Sequence, residues 1–209
     1  NYGKMKEVDA NNVQTGTFNA SEIAVEGIFS YELARNLVGG ITAKFITSYI
    51  GSYNSMAVGV DLGLNWYEPE RQWSVSLVAK NLGGQIKAYE EEYGKMPIDV
   101  QVGVSKTFAA LPVRVSATLV DLTHYDYRFI NHLNLGAEVL LSESIWVGGG
   151  YNFRKADEMT IGKDENASAH GAGFSVGAGI NLEQFKLNLA YGKYHAASNS
   201  ILVNLAYSF

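Results

Sequence analysis

The stretch Ser-Ile-Leu-Val-Asn-Leu-Ala-Tyr-Ser-Phe, residues 200–209, decides the fold class of this chain. Its odd-numbered positions carry only large apolar or aromatic side chains. After Leu202, its even-numbered positions carry Asn, Ala and Ser. Because successive side chains of a strand point to opposite faces, this period of two predicts a β-strand with one apolar face and one polar face.

The same alternation recurs along the rest of the chain in about eleven segments of similar length. They cover residues 22–34, 37–50, 53–67, 72–88, 97–108, 113–124, 132–142, 145–155, 169–182, 185–195 and 200–209, with a half-strand over 1–9. Short turns such as Gly51-Ser52 separate many of them. Longer links, expected at 89–96, 124–132, 155–169 and 195–200, alternate with short ones in the second half. This alternation is typical of outer-membrane barrels, in which short periplasmic turns alternate with longer external loops.

Composition excludes several classes of protein. The net charge of -5 lacks the basic excess of nucleic-acid binders, so no nucleic-acid partner is expected. The absence of Cys rules out a disulfide framework and a thiolate metal site. No stretch approaches the ~20 consecutive apolar residues that a membrane-spanning helix needs. The charged fraction of 18% lies below that of ordinary soluble domains and indicates an unusual solvent.

A soluble β-sandwich would also alternate, but three features favour a membrane barrel. The polar face is rich in Gly, Ser, Asn and Ala, whereas water-facing strands usually carry charge. The segments approach or exceed the ~9–11 residues of a tilted membrane strand. Aromatic residues cluster near segment ends, where interfacial girdles form. These are Trp66, Tyr67, Trp73, Tyr151, Phe153, Tyr191, Tyr194, Tyr207 and Phe209.

The end of the chain suggests how such a barrel is assembled. Val203, Leu205, Tyr207 and Phe209 lie at alternate positions and finish on an aromatic residue. This row resembles the C-terminal signal that the barrel assembly machinery of bacteria reads as an edge strand, and an exposed edge is a ready template for pairing. We therefore expect these four residues to form the assembly signal.

One region resembles a known family more closely. It comprises Ser55–Leu64 (SMAVGVDLGL), Ser74–Gln85 (SVSLVAKNLGGQ), Met96–Lys106 (MPIDVQVGVSK) and Leu111–Arg114 (LPVR). These stretches resemble the PorV/PorQ family of FadL-like outer-membrane barrels in type IX secretion. Within this family the resemblance is strongest to PorQ, because the turn Lys80-Asn81-Leu82-Gly83 is followed by Gln85.

The resemblance implies a barrel of about fourteen strands with an N-terminal plug. Residues 1–9 would then end the third strand, so the earlier strands would be missing from this chain. Residues 1–209 would form a single domain, the C-terminal part of a longer barrel. The resemblance also implies a non-enzymatic role in secretion, with translocon subunits or cargo as partners and loops 89–96 and 155–169 as candidate contact surfaces.

Asp61 is a charged residue on a face otherwise lined by small side chains. It could bind a substrate or a cation. We favour an ion pair with an inward-facing basic residue, because charges withdrawn from water need partners. Lys44, Arg114, Arg154 and Lys186 are the candidates.

The remaining polar residues show no pattern of a catalytic or metal site. All four His residues are placed at or near segment ends: His124, His132, His170 and His195. The arrangement that comes nearest to a catalytic base with its orienting carboxylate is His124 with Asp121 and Asp126. Loop polarity explains these residues more simply, and no spacing suggests zinc. Gly148-Gly149-Gly150 lies within a strand pattern, so it is not a phosphate loop. Asn81–Gly84 is expected to form a bulge or bend at the barrel rim.

Together these observations predict an all-β, antiparallel transmembrane barrel in the bacterial outer membrane, without catalytic residues, cofactor or metal. Its expected partners are outer-membrane lipid, the barrel assembly machinery and type IX translocon subunits or cargo. The alternatives are a FadL-like channel for hydrophobic small molecules and an outer-membrane hydrolase. The polar inner face disfavours the channel, and the scattered His residues do not support the hydrolase.

Overall fold

The computed structural model describes residues 1–108, 110–160, 171–195 and 198–208. The strands are β1 (Lys4–Val8), β2 (Gln14–Ala34), β3 (Leu37–Ile50), β4 (Tyr53–Glu68), β5 (Trp73–Lys87), β6 (Asp99–Phe108), β7 (Val113–Leu119), β8 (Leu133–Leu140), β9 (Ile145–Asn152), β10 (Phe174–Asn181), β11 (Phe185–His195) and β12 (Ser198–Tyr207). The helix α1 spans Phe153–Glu158, and a 3₁₀ turn spans Phe129–His132.

The strands follow one another in a twelve-stranded sheet in chain order, from β1 to β12. The ladders are antiparallel; for example, Arg114 of β7 lies opposite Glu138 of β8, and Leu187 of β11 lies opposite Leu205 of β12. The predicted all-β antiparallel fold is confirmed, and the sheet is consistent with an outer-membrane barrel. Each of the eleven predicted segments, and the half-strand over 1–9, corresponds to one strand.

Several predicted boundaries were wrong, for identifiable physical reasons. The segment 22–34 begins earlier, because β2 already pairs with β1 from Gln14. The segment 113–124 ends at Leu119, and Asp121 then adopts a positive φ of 54°, which lies outside the extended conformation of regular strands. The segment 145–155 ends at Asn152, whose side chain accepts a hydrogen bond from the backbone N–H of Lys155 and caps α1.

The expected external loop 155–169 therefore starts within a helix. Residues 161–169 of that loop lie outside the described residues. The expected link 195–200 is shorter than predicted, because β11 extends to His195 and β12 begins at Ser198.

The apolar face of the strands is exposed rather than packed into a core. In β2, Val25 and Phe29 are 64% and 65% exposed. In β12, Ile201 is 74% exposed, and Val203, Leu205 and Tyr207 are exposed as well. Among the described residues the buried apolar side chains are four alanines: Ala20, Ala88, Ala156 and Ala172. A sandwich would bury this face between two sheets. An apolar surface of this extent needs a non-aqueous environment or a partner, which favours the membrane alternative.

The chain divides into two compact units. The first comprises Asn1–Leu64 and Val78–Asp99, and the second comprises Asn65–Leu77 and Val100–Phe209. Within the described ranges, no helix is long and apolar enough to cross a membrane.

Candidate functional site

Asp61 of β4 forms an ion pair with Lys44 of β3 on the polar face of the first unit. The Nζ of Lys44 lies 2.7 Å from Oδ2 of Asp61, and the two side chains are only 10% and 15% exposed. Charges so withdrawn from water need each other and further hydrogen bonds to offset their lost hydration. The predicted pairing of Asp61 with an inward basic residue is confirmed, with Lys44 as the partner.

Two other candidate cations have partners of their own in the second unit. Arg114 lies opposite Glu138 across the β7–β8 ladder, with 2.6 Å between Arg114 Nε and Glu138 Oε2. Arg154 forms an ion pair with Asp121. These cations and carboxylates therefore neutralise one another within the protein.

Asn81 joins the Lys44–Asp61 pair to the backbone of β5. It adopts a left-handed φ of 58°, which Asn tolerates better than most residues. Its backbone N–H donates to Asp61 Oδ1 at 2.8 Å, and its side-chain oxygen accepts from Lys44 Nζ at 3.1 Å. The predicted bend at 81–84 therefore exists, but it lies within β5 instead of at a rim.

Residues 88–98, which we call the inner segment, fold over the polar face of the first unit. The Tyr89 hydroxyl donates to Ser48 Oγ at 2.5 Å, and the backbone N–H of Gly94 donates to Gln85 Oε1 at 2.5 Å. Further along, Asn81 Nδ2 donates to the carbonyl oxygen of Pro97 at 2.9 Å. Loop 89–96, expected from the sequence to be a candidate contact surface, lies within this segment. Its contact with a partner stays a prediction.

A cavity of about 240 Å³ lies beside the inner segment. Its lining includes Glu22, Ser48, Ser55, Gln85, Lys95 and Met96. Gln85 also donates to Ser55 Oγ at 2.5 Å, so the amide that holds Gly94 is itself fixed to β4. Apolar groups of Ile46, Ala57 and Pro97 complete a lining that is mixed in character.

In the second unit, residues 120–132 and α1 form a braced assembly that we call the loop platform. Arg128 Nη2 lies 3.1 Å from Asp157 Oδ1, and Asn131 Nδ2 donates to Asp157 Oδ2 at 3.0 Å. The Arg154–Asp121 ion pair provides a second link, and the Arg154 guanidinium lies 5.4 Å from the ring centroid of Tyr127. These contacts join the β7–β8 connection to the start of the β9–β10 connection.

The loop platform exposes two aromatic side chains. Tyr125 is 93% exposed and Phe129 is 71% exposed. Large aromatic groups displayed on a braced loop are the kind of feature that protein interfaces use as anchors. Sequence reasoning missed this surface, although the run of alternating charges and aromatics over 121–132 carried the signal.

The base-and-orienter arrangement that His124 could imitate with Asp121 and Asp126, and that loop polarity was expected to explain more simply, is not assembled. His124 Nδ1 lies 3.8 Å from Asp126 Oδ1 in an exposed position, and Asp121 pairs with Arg154 instead. His132 is buried, and its Nδ1 lies 2.8 Å from the carbonyl oxygen of Val120, so it has a structural role. His170 and the side chain of His195 lie outside the described part of the chain. The described residues also contain no group of three or more metal-ligating side chains.

Lys106 of β6 is a second feature that the sequence analysis missed. The apolar positions of β6 are even-numbered, and Lys106 continues that series after Val102 and Val104. Its Nζ donates to the carbonyl oxygen of Arg71 and lies 5.0 Å from the ring centroid of Trp73.

A sheet with an exposed apolar face and braced long connections is typical of a membrane protein. Its polar residues stabilise the fold or form contact surfaces. The family model described as "Type IX secretion system membrane protein PorP/SprF" matches residues 13–205. The chain belongs to the PorP/SprF family. No curated protein matches it.

Membership of the PorP/SprF family makes the protein a membrane component of the type IX secretion system, located in the bacterial outer membrane. The predicted secretion system and location are confirmed. The PorV/PorQ family, which residues 55–114 resemble, is not confirmed; PorP/SprF is the family that the match shows.

Proposed function

We propose that this PorP/SprF-family protein is a non-enzymatic component that assists the translocation or surface attachment of type IX cargo. The observation that carries this proposal is the loop platform, a braced surface that displays Tyr125 and Phe129. Translocon subunits or cargo would dock there. A surface already ordered before binding loses less conformational entropy when a partner docks.

The side of the membrane on which the loop platform lies supports this role. Short turns connect β8 to β9 (Leu141–Ser144) and β10 to β11 (Leu182–Gln184). The platform, in contrast, belongs to the long connections after β7 and β9. In outer-membrane barrels the long loops face the outside of the cell. The platform would therefore meet cargo as it arrives at the cell surface.

Outer-membrane lipid is the proposed partner of the exposed apolar face. Along β11, apolar side chains alternate from Phe185 to Tyr191, and Lys193 follows at the next position on that face. The stretch from Phe185 to Lys193 has the ~9–11 residues that a tilted strand needs to cross the membrane. The rings of Phe185 and Tyr207 contact each other at one end of this stretch, with 4.8 Å between their centroids.

We also propose that the row Val203, Leu205, Tyr207 and Phe209 is the signal for the barrel assembly machinery. The first three residues share the exposed apolar face of β12, the last strand in the sheet order. Phe209 lies outside the described residues. A strand at the end of the sheet order offers backbone groups for pairing, which is what such a machinery would recognise.

The alternative is a FadL-like channel for hydrophobic small molecules. The charged residues Glu22 and Lys95 at the cavity beside the inner segment disfavour an apolar ligand there, although Ile46, Met96 and Pro97 also line it.

A secretion assay tests the proposed role. Deletion of the gene should stop the appearance of sorting-domain cargo at the cell surface, and the wild-type gene should restore it. The double variant Tyr125→Ala/Phe129→Ala should assemble in the membrane but lower surface cargo by about tenfold, the loss expected from removing two interface anchors.

The matched control is Tyr93→Ala, which removes an exposed aromatic residue from the inner segment. It should leave secretion unchanged. Normal secretion in the deletion strain would contradict the proposed role. Equal secretion by the double variant and the control would exclude the loop platform as the docking surface.

A further inference from the structure

Lys106 is a charged side chain within an exposed apolar surface. Val104 and Phe108 flank it on the same face of β6, and Val115 lies opposite it on β7. All three neighbours are exposed, as Trp73 is. A cation on a lipid-facing surface is costly unless it lies near the interface or finds a partner there. Its presence in this row therefore needs an explanation.

The local geometry holds the ammonium group of Lys106 in place without neutralising it. One N–H donates to the carbonyl oxygen of Arg71, and the ring of Trp73 lies 5.0 Å away. A lysine ammonium has three donors, so donors remain for a further acceptor. Among the described ion pairs, none joins a carboxylate to Lys106. The ammonium group is thus held in position without a carboxylate partner among the described residues.

Lys106 lies near one membrane interface. The turn between β4 and β5 that contains Arg71 is short, and the backbone N–H of Thr107 donates to the carbonyl oxygen of Gln72 at 3.1 Å in that turn. Short turns of outer-membrane barrels face the periplasm. Trp73 is the type of residue that sits at headgroup depth. Lys106 would therefore lie at the depth of the phosphates in the periplasmic leaflet.

We propose that Lys106, Trp73 and the Arg71 backbone form a binding subsite for the phosphate of a glycerophospholipid in the periplasmic leaflet. The phosphate oxygens accept from the ammonium group, which Arg71 and Trp73 orient, and the acyl chains lie along Val104 and Val115. Charge complementarity and the exposed apolar surroundings select a lipid as the occupant. The inference rests on the outer-membrane location, and it is independent of the proposed role in secretion.

Lipid binding by the purified, full-length protein in mild detergent tests the subsite. Phosphatidylglycerol is titrated and its bound fraction is measured by native mass spectrometry. Lys106→Met keeps the length of the side chain and removes its charge. It should weaken binding by about fivefold, the contribution expected of one basic residue near a lipid surface. Lys106→Arg should retain binding.

Lys186→Met is the matched control, because Lys186 lies on the opposite, polar face of β11 close to another short turn. It should bind phosphatidylglycerol as the wild type does. Heat-modifiable migration on gels confirms that each variant is folded. Equal binding by Lys106→Met and the wild type would overturn the subsite, as would a wild type that binds no phospholipid. A preference for lipid A would overturn the assignment to the periplasmic leaflet.

Discussion

Gly83 of β5 shows how a single position can determine the approach of two strands in the first unit. A Cβ at Gly83 would collide with the carbonyl oxygen of Val58 and lie 2.7 Å from the Cα of Gly59. Both obstacles are backbone atoms, so neither can rotate away. The neighbouring Gly84 has no atom within 4 Å of the corresponding point.

Gly83→Ala should therefore destabilise the folded protein by about 2 kcal/mol, the usual cost of overpacking. Gly84→Ala should stay within about 0.5 kcal/mol of the wild type. Urea unfolding in detergent micelles or liposomes measures both variants. Equal stabilities of the two variants would show that β4 and β5 do not approach as closely as described.

The Lys44–Asp61 pair makes a second prediction at this scale. Asp61→Asn leaves the ammonium of Lys44 without its counter-charge, which should cost about 3 kcal/mol. Adding Lys44→Met should recover part of that loss, because no unpaired charge remains. A double-mutant cycle by urea unfolding measures the coupling between the two residues.

The exposed pair Arg128–Asp157 provides the comparison for this cycle. Its side chains are largely in solvent, so its coupling should be below about 1 kcal/mol. If the substitutions at Lys44 and Asp61 changed the free energy of unfolding additively, the two residues would not stabilise each other, and this prediction would be wrong.

The sequence predicted that Asp61 has a cationic partner but could not select Lys44 from four candidates. Inward-facing charges need partners wherever they lie, so the need is visible in the sequence. The choice depends on which strands are neighbours and on the left-handed turn at Asn81, which brings a backbone N–H to the carboxylate. Neither follows from spacing.

Among the elements, the inner segment depends on a few polar anchors. Tyr89 and Gln85 tie it to β3 and β5, and Met96 packs over the bare backbone of Gly59, where a Cβ would lie 3.1 Å from Met96 Cε. Tyr89→Phe/Gln85→Ala should loosen the segment and raise the rate of trypsin cleavage after Lys95 by roughly thirtyfold, since it removes two hydrogen bonds of about 1 kcal/mol each.

Tyr93→Ala is the control for this measurement, because Tyr93 is an exposed residue of the same segment. Its cleavage rate should equal that of the wild type. If the anchoring variant were cleaved no faster than the control, the hydrogen bonds to Ser48 and Gly94 would not be what holds the segment down.

The period of two identified the strands well but not where they end. Beyond β7, Val120 and Leu122 alternate with polar residues but in the opposite register to the odd-numbered apolar row of β7. The strand stops at Leu119 because Asp121 takes a left-handed conformation and pairs with Arg154. The hydrogen bonds of the inner segment to Ser48 and Gln85 could not be predicted either, because nothing within 88–98 indicates these partners.

For the whole molecule, the alternation of apolar and polar residues predicts strands with two unlike faces, and the structure confirms this. The apolar side chains are exposed, while Lys44–Asp61 and Arg114–Glu138 occupy the polar face. The sequence could predict this because strand geometry forces side chains to alternate. The membrane imposes this alternation on many outer-membrane proteins. The pattern therefore predicted the fold class, but it could not distinguish the PorP/SprF family from the PorV/PorQ family.

One domain over 1–209 and a total of about fourteen strands remain predictions.

We expect this outer-membrane protein to work within type IX secretion by contacting other proteins through its loop platform. The most direct measurement places a photo-crosslinking amino acid at Tyr125 in cells, with Tyr93 as the control position, and identifies the adducts by mass spectrometry. We expect adducts with translocon subunits or sorting-domain cargo at Tyr125, and none of these adducts at Tyr93. Adducts with neither class of protein at Tyr125, in cells that secrete cargo normally, would contradict this expectation.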